Sequence, residues 1–204
     1  MLLGGGLALR DGVAAVDRRR RDRYGWMKPR RRAIKTAWVD RLECHNPRVD
    51  FSQAMRVLGA LDRHRVEYVL VGSMAMAAQG LVRATRDMDI FVDPSEANVA
   101  RLRKALREVF DDPAVEGIRS AELAGEYPAV QYVPPEGDFW IDILARLGEA
   151  FAFADLESEV LEVEGVRIRV ATPRMLYLMK KGTVRGQDRL DAAMLKERFG
   201  LEDE

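Results

Sequence analysis

Asp87 and Asp89 stand two residues apart in the stretch Asp87-Met88-Asp89-Ile90-Phe91-Val92, and a third aspartate, Asp142, lies inside the run Trp140-Ile141-Asp142-Ile143-Leu144. Side chains alternate along an extended chain, so Asp87 and Asp89 share one face while Met88 and Ile90 take the other. Two carboxylates in one small volume raise each other's pKa or recruit a cation, and oxygen-only ligands favour Mg²⁺ over a softer metal. An exposed acidic strand end would give the same pattern, so the pair alone leaves both readings open. Asp142 also has two readings. It is an edge-strand carboxylate facing water, or a buried one whose cost between two isoleucines is met by a cation or strong hydrogen bonds.

Upstream, the β-rich run Tyr68-Val69-Leu70-Val71 stops at Gly72-Ser73, and Met74 to Ala78 follows at helical composition. A glycine at a strand end lets backbone approach a ligand, and the amides opening the next helix favour an anion. Taken singly these residues are weak indicators, since glycine makes ordinary turns and serine ordinary caps. Their order is more informative. An anion-binding turn, a helix and then a strand bearing two carboxylates suits a metal-bound triphosphate.

The elements that must hold these groups are legible from periodicity and punctuation. Asp50 with Gln53 resembles a capping box for a helix over 51–64, carried by Met55, Leu58 and Leu61. A strand over 67–71 follows, then a helix to Gly80 capped by Ser73, a strand over 89–92, and a helix to Phe110 with Asp93 as N-cap, Pro94 in the first turn and Glu96 as capping-box acid. After a poorly patterned stretch, 129–133 and 138–144 read as antiparallel strands joined by Pro134-Pro135-Glu136-Gly137, the second placing Asp138, Trp140 and Asp142 on one face. A short pair over 161–163 and 166–170 turns at Glu164-Gly165. Thr172-Pro173 opens a helix to Lys181, and a last helix over 187–199 stops at Gly200.

The 204 residues are 48% hydrophobic and 32% charged, enough for one globular domain with a real core and unlike a wholly disordered chain. Basic and acidic side chains number 33 each, yet the first fifty residues hold 13 basic and 6 acidic ones, leaving a basic head on an acidic body. Residues 1–49 lack a sustained period and carry Arg18 to Arg21 and Arg30 to Arg32 as runs, so a disordered extension is expected before a domain over 50–204. That extension is an unstructured leader, with Met27 as a later start, or a basic arm on nucleic acid with Tyr24, Trp26 and Trp38 to stack. Cys44 is the sole cysteine, which excludes an intramolecular disulfide and a Cys-rich zinc site and points to the cytoplasm. His45 and His64 lack metal-site spacing, and no stretch approaches a membrane span.

Val69-Leu70-Val71-Gly72-Ser73, then Asp87-Met88-Asp89, then Asp142 resembles the nucleotidyltransferase superfamily that shares its fold with DNA polymerase β. The string Arg83, Thr85, Asp87, Asp89 looks like the bacterial branch with AbiEii-type toxins, as does Pro173 to Asp191 with Leu176, Met179, Lys180, Arg185, Asp188 and Asp191. The resemblance covers about residues 55–195. It implies an α+β nucleotidyltransferase fold, a short mixed sheet flanked by helices with a helical C-terminal portion. It further implies that Asp87 and Asp89 hold Mg²⁺ on a nucleoside triphosphate, that Asp142 joins them at a second Mg²⁺ and activates an acceptor hydroxyl, and that Gly72 and Ser73 cradle phosphates. Arg83, Thr85, Lys180 or Lys181, Arg185 and Asp188 complete the nucleotide side. The acceptor expected is RNA, in particular a tRNA-like end, with an antitoxin protein as a second partner. The rival is a non-catalytic nucleotide- or RNA-binding protein on the same fold.

Overall fold

The computed structural model describes residues 51–82, 85–135 and 139–202, so the cap expected at Asp50 and the basic segment before it lie outside the described residues. The chain runs through α1 (Phe51–Arg63), β1 (Tyr68–Val71), α2 (Gly72–Ala78), β2 (Asp87–Val92) and α3 (Glu96–Phe110). A 3₁₀ turn (Pro113–Gly117), α4 (Ser120–Leu123), β3 (Ala129–Tyr132) and β4 (Trp140–Leu144) follow. A two-strand ribbon of β5 (Arg146–Leu147) and β6 (Phe151–Ala152), a 3₁₀ turn (Phe153–Asp155), the hairpin β7 (Ser158–Val163) and β8 (Val166–Ala171), and the helices α5 (Pro173–Lys181) and α6 (Gly186–Phe199) complete it.

Six strands form one mixed sheet in the order β3-β4-β2-β1-β8-β7. β2 with β4 and β1 with β8 are parallel, and the other neighbours are antiparallel. The register sorts the two faces. Leu70, Ile90, Ile143 and Val130 lie side by side on one, and all are buried. This face lies under α1 and α3. The backbone of α1 approaches Val166, where a Cβ on Gly59 would sit 3.7 Å from its Cγ2, and Phe110 at the end of α3 packs on Tyr132 with ring centroids 5.5 Å apart. The opposite face carries Val69, Val71, Phe91 and the three aspartates.

The structure departs from the expected caps at two places. α3 is capped by Ser95, whose hydroxyl accepts from the Asn98 amide at 3.4 Å, whereas Asp93 accepts from the Ser95 amide at 2.6 Å and shapes the turn before it. Ser73 does not cap α2. Gly72, at φ +67°, turns the chain from strand into helix with no residue between them, so Val71 occupies the cap position and Ser73 is already inside the helix. The ribbon β5–β6, too short to show a period, was not expected, and neither were the short turns after α3. Thr172 and Gly200 cap α5 and α6 as read. Among the described residues no helix is long and apolar enough to cross a membrane.

Asn98 fastens α3 to the start of β1. Fully buried, its amide nitrogen donates to the Glu67 and Asp93 carbonyls at 2.9 Å each, and its oxygen accepts from the Glu67 amide at 2.7 Å. Asn98→Leu, of similar volume, would strand these three backbone groups. The expected loss is about 3 kcal/mol, seen as a lower urea midpoint with an unchanged slope; a midpoint like that of the unmodified protein would contradict it.

Candidate active site

The β2–β4 register sets Asp89 directly opposite Asp142, and the β3–β4 register sets Gln131 on Asp142's other side. With Val71 beside Asp89, a lateral row Gln131, Asp142, Asp89, Val71 crosses four strands. Asp87 lies two residues before Asp89 on the same face. The three aspartates are only 8, 5 and 9% exposed for Asp87, Asp89 and Asp142. Carboxylates brought to neighbouring positions on adjacent strands favour a cation beside them.

Gly72 borders this row at contact distance. A Cβ built on it would fall 2.1 Å from Asp89 Oδ2 and 2.8 Å from its Cγ, closer than atoms can approach. Its positive φ independently disfavours any other residue. Ser73 is buried beside it. The Thr85 hydroxyl donates to Asp87 Oδ1, fixing that carboxylate, and the Arg86 carbonyl accepts from the Trp140 amide at 3.3 Å where β2 and β4 begin. Arg83 and Asp138 lie outside the described residues.

The residues expected on α5 and α6 form a cluster of their own. Lys180 Nζ donates to Asp188 Oδ1 at 2.9 Å and Asp191 Oδ2 at 2.8 Å, all three being buried. Thr183 donates to the other oxygen of Asp188 at 3.1 Å, Gln187 to the other oxygen of Asp191 at 3.0 Å, and Arg185 stands 3.8 Å from Asp188 Oδ2. Lys181 is exposed, with Nζ 5.5 Å from the Tyr177 ring centroid. The cluster bolts α5 to α6, and α5 packs on α2.

Sequence reasoning missed Gln131. Alternation in Ala129-Val130-Gln131-Tyr132 places it opposite the core-facing Val130 and Tyr132, but only the register shows that it meets Asp142.

Among the described residues no three His, Cys, Asp or Glu side chains form a ready-made metal cage. Mg²⁺ seldom has one, being held by one or two carboxylates and completed by substrate oxygens and water. The oxygen-only row fits that donor chemistry. An open cleft of about 580 Å³ lies elsewhere, lined by His64, Arg103, Lys104, Arg107 and Glu108. Its charges pair locally, as in His64 Nε2 with Glu108 Oε2 at 2.7 Å and Arg103 with Glu116 at 3.4 Å, and it sits on the helices that cover the opposite sheet face.

Two substitutions follow from these contacts. Lys180→Met should cost about 3–5 kcal/mol by leaving two buried carboxylates uncompensated, while Lys181→Met should barely move the denaturation midpoint; equal effects would contradict the assignment. Gly72→Ala should cost about 1–3 kcal/mol and displace the Asp89 carboxylate, which a crystal structure of the variant checks.

The sequence model of the nucleotidyl transferase AbiEii toxin family, a type IV toxin–antitoxin system, matches residues 56–190. Among curated proteins none matches the sequence. The solved structure of the lincosamide antibiotic adenylyltransferase LnuA with lincomycin bound aligns at 16% identity and a TM-score of 0.51, covering 74% of this chain and 98% of its own. A Thermotoga maritima protein assigned as a nucleotidyltransferase aligns at 18% identity and a TM-score of 0.49, covering 76% of this chain and 96% of its own. At such identities the structural likeness is one of fold. With the family match spanning well over half of its length, the chain belongs to the AbiEii nucleotidyl transferase toxin family and is a nucleotidyltransferase.

Proposed function

We propose that the protein moves a nucleoside monophosphate from a nucleoside triphosphate to a hydroxyl of an RNA acceptor, in particular a tRNA-like end, as the toxin of a cytoplasmic toxin–antitoxin pair. The observation that carries the reading is the placement of Asp89 opposite Asp142, with Asp87 on the same face and Gly72 packed against the Asp89 carboxylate. Asp87, Asp89 and Asp142 would hold Mg²⁺, which when bound supplies positive charge to the triphosphate and to the departing pyrophosphate.

Gly72 and Ser73 would bind the terminal phosphates through the backbone amides that open α2. The Thr85 hydroxyl keeps one oxygen of Asp87 engaged and so orients the carboxylate. Asp142 accepts the proton of the acceptor hydroxyl as its oxygen bonds to the α-phosphorus. The bond from that phosphorus to the bridging oxygen breaks, and pyrophosphate leaves in line with the attack. Since Lys180 is committed to Asp188 and Asp191, we assign the phosphate contact to the exposed Lys181, with Arg185 beside the cluster. Cations at Arg86, Lys181 and Arg185 favour a polyanionic acceptor over a neutral small molecule.

Asp87→Asn and Asp89→Asn should each abolish transfer, the double variant being hardly worse than either, because the two act as a unit. Near-normal turnover in one of them at ordinary Mg²⁺ would sink the pairing. Asp142→Asn should depress turnover while Mg²⁺-nucleotide binding stays within a few-fold by calorimetry; binding lost in step with activity would make Asp142 a primary binding group. With labelled nucleoside triphosphates, Mg²⁺ and purified tRNA, label should enter the RNA band and vanish in Asp87→Asn. Label only in protein or in a small soluble product would reject the RNA acceptor and keep the enzyme class.

A further inference from the structure

The sheet has two edges, and they are finished differently. β3, at one end of the strand order, is four residues long and mostly buried, with α4 packed beside it and the Tyr132 hydroxyl donating to Asp112 Oδ2 at 3.0 Å. β7, at the other end, runs six residues from Ser158 to Val163 and is exposed at Ser158, Glu159, Val160 and Glu162, with Val160 51% accessible.

The hairpin settles which backbone groups of β7 face outward. Its turn has two residues, Glu164 and Gly165, both at positive φ (+49° and +78°), and Val163 pairs with Val166 on either side of it. Such a turn closes on a hydrogen-bonded pair and the pairs then alternate, so Val163, Leu161 and Glu159 bond to β8. Ser158, Val160 and Glu162 therefore point their N–H and C=O groups away from the sheet, and among the described residues no other element meets them.

Charge decides what could meet them. Glu159 and Glu162 lie on the strand and Glu157 and Glu164 flank it, all exposed, with no lysine or arginine within residues 157–164. Gln79 donates to one oxygen of Glu159 at 2.7 Å, and Arg169, across from Val160, is held by Glu67 at 3.2 Å. Glutamates along an edge repel a second copy of the same strand and give an uncharged strand nothing to pair with. A basic strand is the exception, gaining backbone bonds and opposite charges together.

We infer that β7 is a docking edge for an extended basic segment of a partner protein, added antiparallel as a further strand of the sheet. Glu159 and Glu162 are separated by Val160 and Leu161, so the segment they select reads cation, apolar, apolar, cation. β1 and β8 stand between this edge and the strands carrying the aspartates, and the inference is independent of the transfer chemistry.

Titration of the full chain with the terminally blocked peptide TRIVRT, followed by backbone amide resonances, tests it. The amides of Ser158, Val160 and Glu162 should shift most, with a Kd of about 0.1–1 mM from a few strand bonds and two exposed ion pairs. The acidic peptide TEIVET should bind at least about tenfold more weakly, and the Glu159→Lys/Glu162→Lys variant should reverse that preference. Val160→Pro removes an outward N–H and no bond to β8, so it should keep the melting temperature and lose the peptide. If that variant does not fold, the charge reversal alone carries the test.

Shifts absent from those three amides, or equal affinity for both peptides, would overturn the inference. So would sedimentation in which the unmodified protein pairs with itself and Val160→Pro is monomeric, since a second copy would then fill the edge.

Discussion

Two carboxylates face each other across adjacent parallel strands, and much of the rest of the molecule is arranged so that they cannot avoid it. Asp89 and Asp142 are held in register by the other face of the same strands, where Ile90 and Ile143 are fully buried side by side. A slip of one residue in either strand would move that apolar set to the other face and carry an aspartate into the core, so the hydrophobic face fixes the polar one. Gly72 extends the same logic into the backbone, since the space beside Asp89 Oδ2 has no room for even one more carbon.

Charge is handled differently a short way along the chain. Lys180, Asp188 and Asp191 form a closed cluster in which each acid has one oxygen on the ammonium and the other on a neutral donor, so α5 and α6 are joined by a satisfied network. The carboxylate row has neutral donors, Thr85 and Gln131, at its two ends. The first cluster joins two helices, while the row lies across neighbouring strands of one sheet. That contrast separates the residues of α5 and α6 from the aspartates of β2 and β4, which the sequence presents as a single group.

Much of the architecture was legible because it follows from local rules. The alternation in Asp87 to Val92, the stripe on α3 and the caps at Thr172 and Gly200 each dictate a local structure that the fold keeps. What escaped depends on chain segments meeting from afar. The cap shifted from Asp93 to Ser95 because both residues suit a helix start and only the path of the chain toward Asn98 chooses between them. Lys180 and Lys181 are indistinguishable as neighbours in sequence, and the packing of α6 on α5 decides which of them meets two acids. Gln131 escaped for the same reason, as its partner lies eleven residues away in a strand whose register no short window contains.

The proposed function requires Asp87, Asp89 and Asp142 to act as one cation-holding site beside Gly72. Crystals of the protein soaked with Mn²⁺ and a non-hydrolysable nucleoside triphosphate, measured at the manganese absorption edge, test this most directly. An anomalous peak is expected within coordination distance of the Asp87 and Asp89 carboxylates, on the Asp142 side, with phosphate density running toward Gly72. A peak in the cleft between α1 and α3, or manganese bound without contact to any of the three aspartates, would contradict it.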